Sequence, residues 1–365
     1  MIGAVREFVD RVLGRGEATI AVPSFDGALK PDQRLEEASV VLESATAEDM
    51  ATDGQSLFLA DGQRILRLDG SAATAVKTFD KPITALACLP GGGFAVALAG
   101  REVRVYAQIG DAEPRVLFAD SGMRAVNALA PTPDGALIAT DGSSNLDVGD
   151  WARDLLERGR SGRVLRLDLK TRETRVLASK LRYAFGASAP GDSILVSESW
   201  RHRVISIAPD GATHAVLDHL PVYPSRLSPA SAGGYWLTAF AARTHLVEFV
   251  LREPAYRRRM MAEIDPALWI APRLRSGQSF MEPMQGAHLK TMGVVKPWAP
   301  PRSYGLVIRL SAEGLPLYSL HSRVDGIHHG VVSAIELAGD LYVLAKGPGR
   351  VLKLPIAGIE KGVGA

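Results

Sequence analysis

A handful of side chains in this 365-residue chain are of types that could move protons. Glu198 closes the apolar run of "SILVSESW". A carboxylate at the end of a buried strand can have its proton affinity raised until it serves as a general base. It can equally be a structural partner of Arg201 or Arg203. Glu336, in "SAIELAGDLY", offers a second carboxylate, either facing a site or supporting a turn. His328 and His329 stand in "DGIHHG", a glycine-flanked loop where an imidazole could gain and lose a proton near neutral pH. Cys88 is the single cysteine and sits in the apolar run Leu86-Ala87-Cys88-Leu89, so disulfides and a thiolate metal cluster are excluded. It reads as a buried structural thiol. No Gly-x-Ser-x-Gly elbow, Walker loop or His-Glu-x-x-His helix occurs.

These residues need a scaffold, and the sequence repeats itself. A glycine turn, an alternating apolar strand, a short polar turn and a second strand recur from residues 53, 91, 134, 191, 233 and 338. Copies such as "DGQSLFLADGQRILRLD" and "GDSILVSESWRHRVISI" alternate with period two, which argues strands. Spacings near 40 residues are those of four-stranded propeller blades. Two longer gaps carry insertions. Residues 145–160 include a short helix, with Asp150 as N-cap, Trp151, Leu155 and Leu156 on its apolar side and Gly159 at its end. Residues 250–303 are rich in Arg, Met, Trp and Pro, with helical stretches broken by proline. After them, 304–322 supplies two more strands, in the outer half of the fifth blade or the start of the sixth. The expected architecture is all-β: a six-bladed β-propeller over 45–355, with helical insertions forming a lid over the central funnel. A helix and lead-in strand occupy 1–44, and a tail 356–365.

Composition narrows the partners. Forty-two basic and 40 acidic residues nearly cancel, which argues against nucleic-acid binding. No run of about 18 apolar residues exists to span a membrane. The N-terminal "MIGAVREFVDRVLGRG" reads as an amphipathic helix with Ile2, Val5, Val9 and Val12 on one side, and a cytoplasmic location is expected. Arg252, Arg257, Arg258 and Arg259 cluster beside Met260 and Met261. They read as a solvated helix face, as peripheral membrane contact through 250–303, or as a lid for an anionic substrate.

The segments "NALAPTPDGALIATDGSSN" (127–145), "DWARDLLERGRSGRVLRLD" (150–168), "YAFGASAPGDSILVSESWRHRV" (183–204) and "LPVYPSRLSPASAGGYWLTAF" (220–240) resemble the strictosidine synthase-like family, within the wider group of paraoxonase, gluconolactonase and regucalcin. The resemblance extends over about 45–355. It implies a six-bladed propeller with its site in the central funnel. Lactonase and esterase members hold a metal through Glu, Asn and Asp side chains. The plant synthase uses a glutamate acid/base and no metal.

Carried over position by position, the resemblance places Glu48 at the first metal ligand and Asn127 at the second. Phe185 stands where relatives carry a ligand Asn, and Ser225 and Arg226 replace an acid and an amide. A calcium-type site wants six to eight oxygens, several of them charged, and Arg226 would repel a divalent ion. No cofactor is therefore expected, with calcium on Glu48 and Asn127 the lesser alternative. Val332 occupies the position of the plant synthase's catalytic acid, and valine transfers no proton, so true strictosidine synthesis is not expected. The leading expectation is a small-molecule enzyme working in the funnel without the usual metal. It would use Glu198, Glu336, His328 or His329 beside Asn127, Tyr183, Phe185, Tyr223 and Arg226, for ester or lactone hydrolysis or a lyase or condensation step. The alternatives are a non-catalytic propeller holding a hydrophobic ligand, and a metal-dependent lactonase with rearranged ligands.

Overall fold

A computed structural model describes residues 22–361 apart from 71, 192, 280, 284–289, 292–293 and 296–301. The expected N-terminal helix at 1–16 lies outside the described residues. Six four-stranded antiparallel sheets form the blades. Their inner strands are Ala47–Thr52, Ile83–Cys88, Val126–Pro131, Ala184–Ser188, Val222–Pro229 and Val331–Leu337.

The sixth blade is completed by the start of the chain. Ser39–Glu43 pairs antiparallel with Arg350–Pro355 and becomes its outermost strand, so the ring is closed by hydrogen bonds between the two ends. Residues 304–322 supply the two outer strands of the fifth blade, Gly305–Leu310 and Pro316–Ser322, next to Tyr235–Ala242.

Burial falls from the axis outward. Ile83–Cys88 is buried almost throughout, whereas the outermost strand of the first blade, Ala72–Thr78, is mostly exposed. The apolar faces of neighbouring blades pack on one another as separate clusters, for example Ala85, Val103 and Phe118 against Val126, Leu137 and Leu165. The core is thus a ring of such layers.

Chain direction defines two ends of the axis. Every inner strand starts at the upper end, because its first residues pair with the last residues of the second strand, as Ala47 does with Asp61 and Val126 with Asp141. Turns between second and third strands therefore also lie at the upper end. Both insertions grow from such turns. Helix α1 (Trp151–Glu157) rises from the third blade, and α2 (His245–Arg252) and α3 (Pro254–Glu263) from the fifth. Asp150 holds the N-cap position of α1 without a side-chain capping bond. The left-handed residue ending that helix is Arg158, with φ 58°, one position before the expected Gly159. Thr244 caps α2 by accepting the Val247 N–H. Among the described residues, no helix is long and apolar enough to cross a membrane.

Candidate functional site

Arg226 dominates the axis. Two register shifts in the inner strand of the fifth blade leave Ser225 and Arg226 unpaired with its neighbour and turn Arg226 inward. Gly186 lies so close to Ser225 and Arg226 that a Cβ would meet their backbone. The guanidinium donates to the carbonyls of Asn127 (3.0 Å), Glu48 (3.1 Å), Val332 (3.4 Å) and Thr84 (2.9 Å), one each from the third, first, sixth and second blades. It pairs with Asp49 at 3.2 Å and lies 5.4 Å from the centre of the Phe185 ring, on the fourth blade. One side chain thus touches every other blade. Burial pushes the Asp49 carboxyl upward, and the charge of Arg226 opposes that shift.

This cation splits the axis into two cavities. The lower one, about 270 Å³, is lined mainly by small and apolar residues including Ala87, Cys88, Ala130, Ala189 and Ala334. Burial pushes the Cys88 thiol up to about 12, which keeps it inert. The upper one, about 40 Å³, is an aromatic cup walled by Trp151, Tyr183, Phe185, Trp200 and Phe240, with Val148, Leu274 and Val332.

Polar groups converge at the floor and rim of the cup. Glu48 projects from the first inner strand, and its carboxylate is ion-paired with the Lys346 ammonium. The two side chains keep 21% and 30% of their surface exposed, so both can reach a ligand. Asn127 is buried and donates its amide to the Ala184 carbonyl at 3.0 Å. The Tyr183 hydroxyl bonds to Asn127, and burial raises its proton affinity, so it stays a neutral phenol. Tyr183 has φ 63°, a left-handed backbone that swings its ring under the cup and onto Trp200, 4.4 Å away and stacked.

The α1 insertion furnishes the wall. Trp151 stands edge-on to Phe240 at 5.4 Å. Below it, the buried Asp154 accepts the Trp200 indole N–H at 2.8 Å. Burial raises the Asp154 carboxyl.

The structure corrects several expected site residues. Glu198 is fully buried at the end of its strand and lines neither axial cavity. It accepts the Arg182 backbone N–H (2.7 Å) and pairs with Arg203 (2.7 Å). Asp141 occupies the same place in the third blade, accepting the Ala125 N–H and pairing with Arg163. Asp61 pairs likewise with Arg64 in the first. Glu198 is therefore one copy of a repeated blade latch. Glu336 lies towards the lower end, accepting the Trp236 indole N–H (2.5 Å) and the Ser231 N–H (2.8 Å) between blades five and six.

His328 and His329 are buried between the same two blades. His328 meets the Leu35 carbonyl through Nδ1 at 2.8 Å, and His329 meets Ser303 and the Arg323 carbonyl. Tyr223 is buried in a second layer, edge-on to Trp200 at 5.9 Å. Of the arginine cluster, Arg259 pairs with Glu263 at 3.0 Å and Arg257 donates to the Leu251 carbonyl. None of these four arginines lines the cup.

Glu48, Asn127, Tyr183 and Phe185 do line the cup, and Arg226 lies beneath it. Sequence reasoning missed Lys346, Trp151, Trp200 and Phe240 as site residues. A signal existed for two of them. Lys346 in "AKGPGR" and Trp200 in "SESWRHR" occupy the turns between second and third strands, the same place from which both insertions grow.

The residues present do not suit a calcium-type cation. At the upper end of the axis the oxygen-bearing side chains are Glu48, Asn127 and Tyr183, and they share it with an ammonium and a guanidinium. The carbonyls of Glu48, Thr84, Asn127 and Val332, which could have served as ligands, point at Arg226. Among the described residues, no three His, Cys, Asp or Glu side chains gather as a metal site.

The fold and the axial cup define a six-bladed propeller with a funnel site. Residues 127–207 match the strictosidine synthase family model. The adipocyte plasma membrane-associated protein of Salmo salar is 26% identical over 355 residues, covering 88% of this chain and 78% of its own length. A gluconolactonase of Xanthomonas campestris superposes with a TM-score of 0.54 at 14% identity, covering 88% of this chain and 91% of that one. Regucalcin of Agrobacterium tumefaciens, described as calcium-binding, gives 0.55 at 10% identity over 87% and 92%. At those identities the solved structures speak for the fold alone. The chain is a six-bladed propeller that carries a segment matching the strictosidine synthase family model.

Proposed function

We propose that the upper cup is the active site of an enzyme acting on a small apolar carbonyl compound, without a resident divalent cation. The observation that carries this reading is the Glu48–Lys346 pair at the mouth of an aromatic cup, above Asn127 and Tyr183. Glu48 is the proton acceptor and donor. Lys346 supplies positive charge where a carbonyl oxygen would develop negative charge, the part a metal plays in other hydrolytic sites. Trp151, Phe185, Trp200 and Phe240 hold the apolar body of the substrate and exclude water. Val332 and Phe185 contribute no proton or oxygen, and among the described residues lining the cup Glu48 is the only carboxylate.

The test is turnover of a panel of small esters, lactones and aldehydes by the wild-type chain and Glu48→Gln in excess chelator. Loss of a general acid/base predicts a fall of about 10²–10⁴-fold in kcat for the Gln variant. Ligand binding with no turnover would instead make the cup a binding site, and equal rates in both proteins would remove Glu48 from the chemistry.

A further inference from the structure

We propose that Lys346 is a covalent capture residue, forming an imine with a small aldehyde or ketone. This deepens the reading above and rests on it: toward an aldehyde or ketone Lys346 acts as the nucleophile, in place of the electrostatic part it plays toward an ester or lactone. Three observations carry it. First, the amine is held in place. Lys346 begins the tight turn Lys346-Gly347-Pro348-Gly349, its own N–H bonds to the Gly330 carbonyl at 3.0 Å, and the Gly349 N–H returns to its carbonyl at 3.2 Å. Gly347 packs so closely on the Leu274 and His329 carbonyls that a Cβ has no room. The turn is thereby fixed against Leu274, which itself lines the cup.

Second, the proton has a destination. The Glu48 carboxylate contacts Nζ directly. Transfer of a proton from the ammonium to Glu48 leaves a neutral amine, whose lone pair attacks the carbonyl carbon. The attacking nitrogen, now cationic, passes one of its protons to the oxygen, and the adduct is a neutral carbinolamine. The protonated Glu48 then gives its proton to the departing hydroxyl, water leaves, and the nitrogen lone pair forms the C=N bond. The net reaction is lysine ammonium plus carbonyl giving protonated imine plus water, with Glu48 returned to its carboxylate and no change of oxidation level. Third, the surroundings suit the product. The iminium cation would sit among aromatic faces, which attract positive charge. The cup is small and walled mostly by aromatic side chains, which favours a carbonyl with a short apolar body.

The experiment is reductive trapping. The full-length protein is incubated with benzaldehyde, phenylacetaldehyde or hexanal and cyanoborohydride, then digested and mapped by mass spectrometry. The expected result is one dominant adduct on the Lys346 peptide. It should disappear in Lys346→Arg, whose fold is checked by circular dichroism, and form about tenfold or more slowly in Glu48→Gln. Labelling spread over surface lysines, with Lys346 no faster than the rest, overturns the proposal. If that happens while panel turnover still depends on Glu48, the imine alone falls. If turnover is also independent of Glu48, the active-site reading falls with it.

Discussion

Truncating Arg226 to Met should loosen the whole ring. Arg226 is 6% exposed and donates to carbonyls on four blades while pairing with Asp49, itself 3% exposed. Removing one partner of a buried ion pair costs about 3–5 kcal/mol, because the other charge is left without compensation. For a domain of this size that corresponds to a drop of roughly 4–7 °C in Tm. Urea unfolding followed by tryptophan fluorescence would read the change as a lower midpoint at an unchanged slope. The destabilisation should shrink below neutral pH. Once Arg226 is gone, Asp49 rises further, and protonating it removes the unpaired charge. Pairing Arg226→Met with Asp49→Asn should recover about 1–3 kcal/mol by double-mutant cycle. A single-variant cost below about 1 kcal/mol, or strict additivity of the pair, would refute the claim that this cation joins the blades.

Two further outcomes follow. Burial holds His321 near a pKa of about 4, bonded to Tyr304 and Ser319. Its folded value lies below the unfolded 6.5, so the unfolded chain binds the extra proton between those values. Stability is full above about pH 6.5 and falls by about 3 kcal/mol as pH drops towards 4, with His202 and His329 shifted in the same direction. His321→Gln should flatten that slope in urea midpoints measured across the range, and an unchanged slope would contradict the assignment. Asp154→Ala removes the acceptor of the Trp200 indole, so it should cost about 1–3 kcal/mol, red-shift tryptophan emission and raise KM more than it lowers kcat. Asp154→Asn keeps an acceptor oxygen and should rescue most of this.

The blades were legible because each strand carries its own period-two pattern and its own glycine turn. The lower-face and interblade positions of Glu336 and of His328–His329 were not, since blade-to-blade contacts join residues remote in sequence. Glu198 misled for a related reason. A carboxylate ending an apolar strand looks functional alone, and the Asp61 and Asp141 counterparts reveal it as a repeated latch. Phe185 and Arg226 were read from the sequence as hostile to a divalent ion. The sequence could not show that Arg226 itself fills the axis, because that depends on the two register shifts of its strand. Lys346 escaped notice because a lone lysine in a glycine-proline turn resembles any exposed loop until the ring brings it onto Glu48.

The central claim is that side chains, not a bound cation, run the cup. Its most direct test is the rate on the best panel substrate, measured after exhaustive chelation and again across a calcium titration. The rate should be unchanged by either treatment and should depend on Glu48. Activity abolished by the chelator and restored by calcium would contradict it.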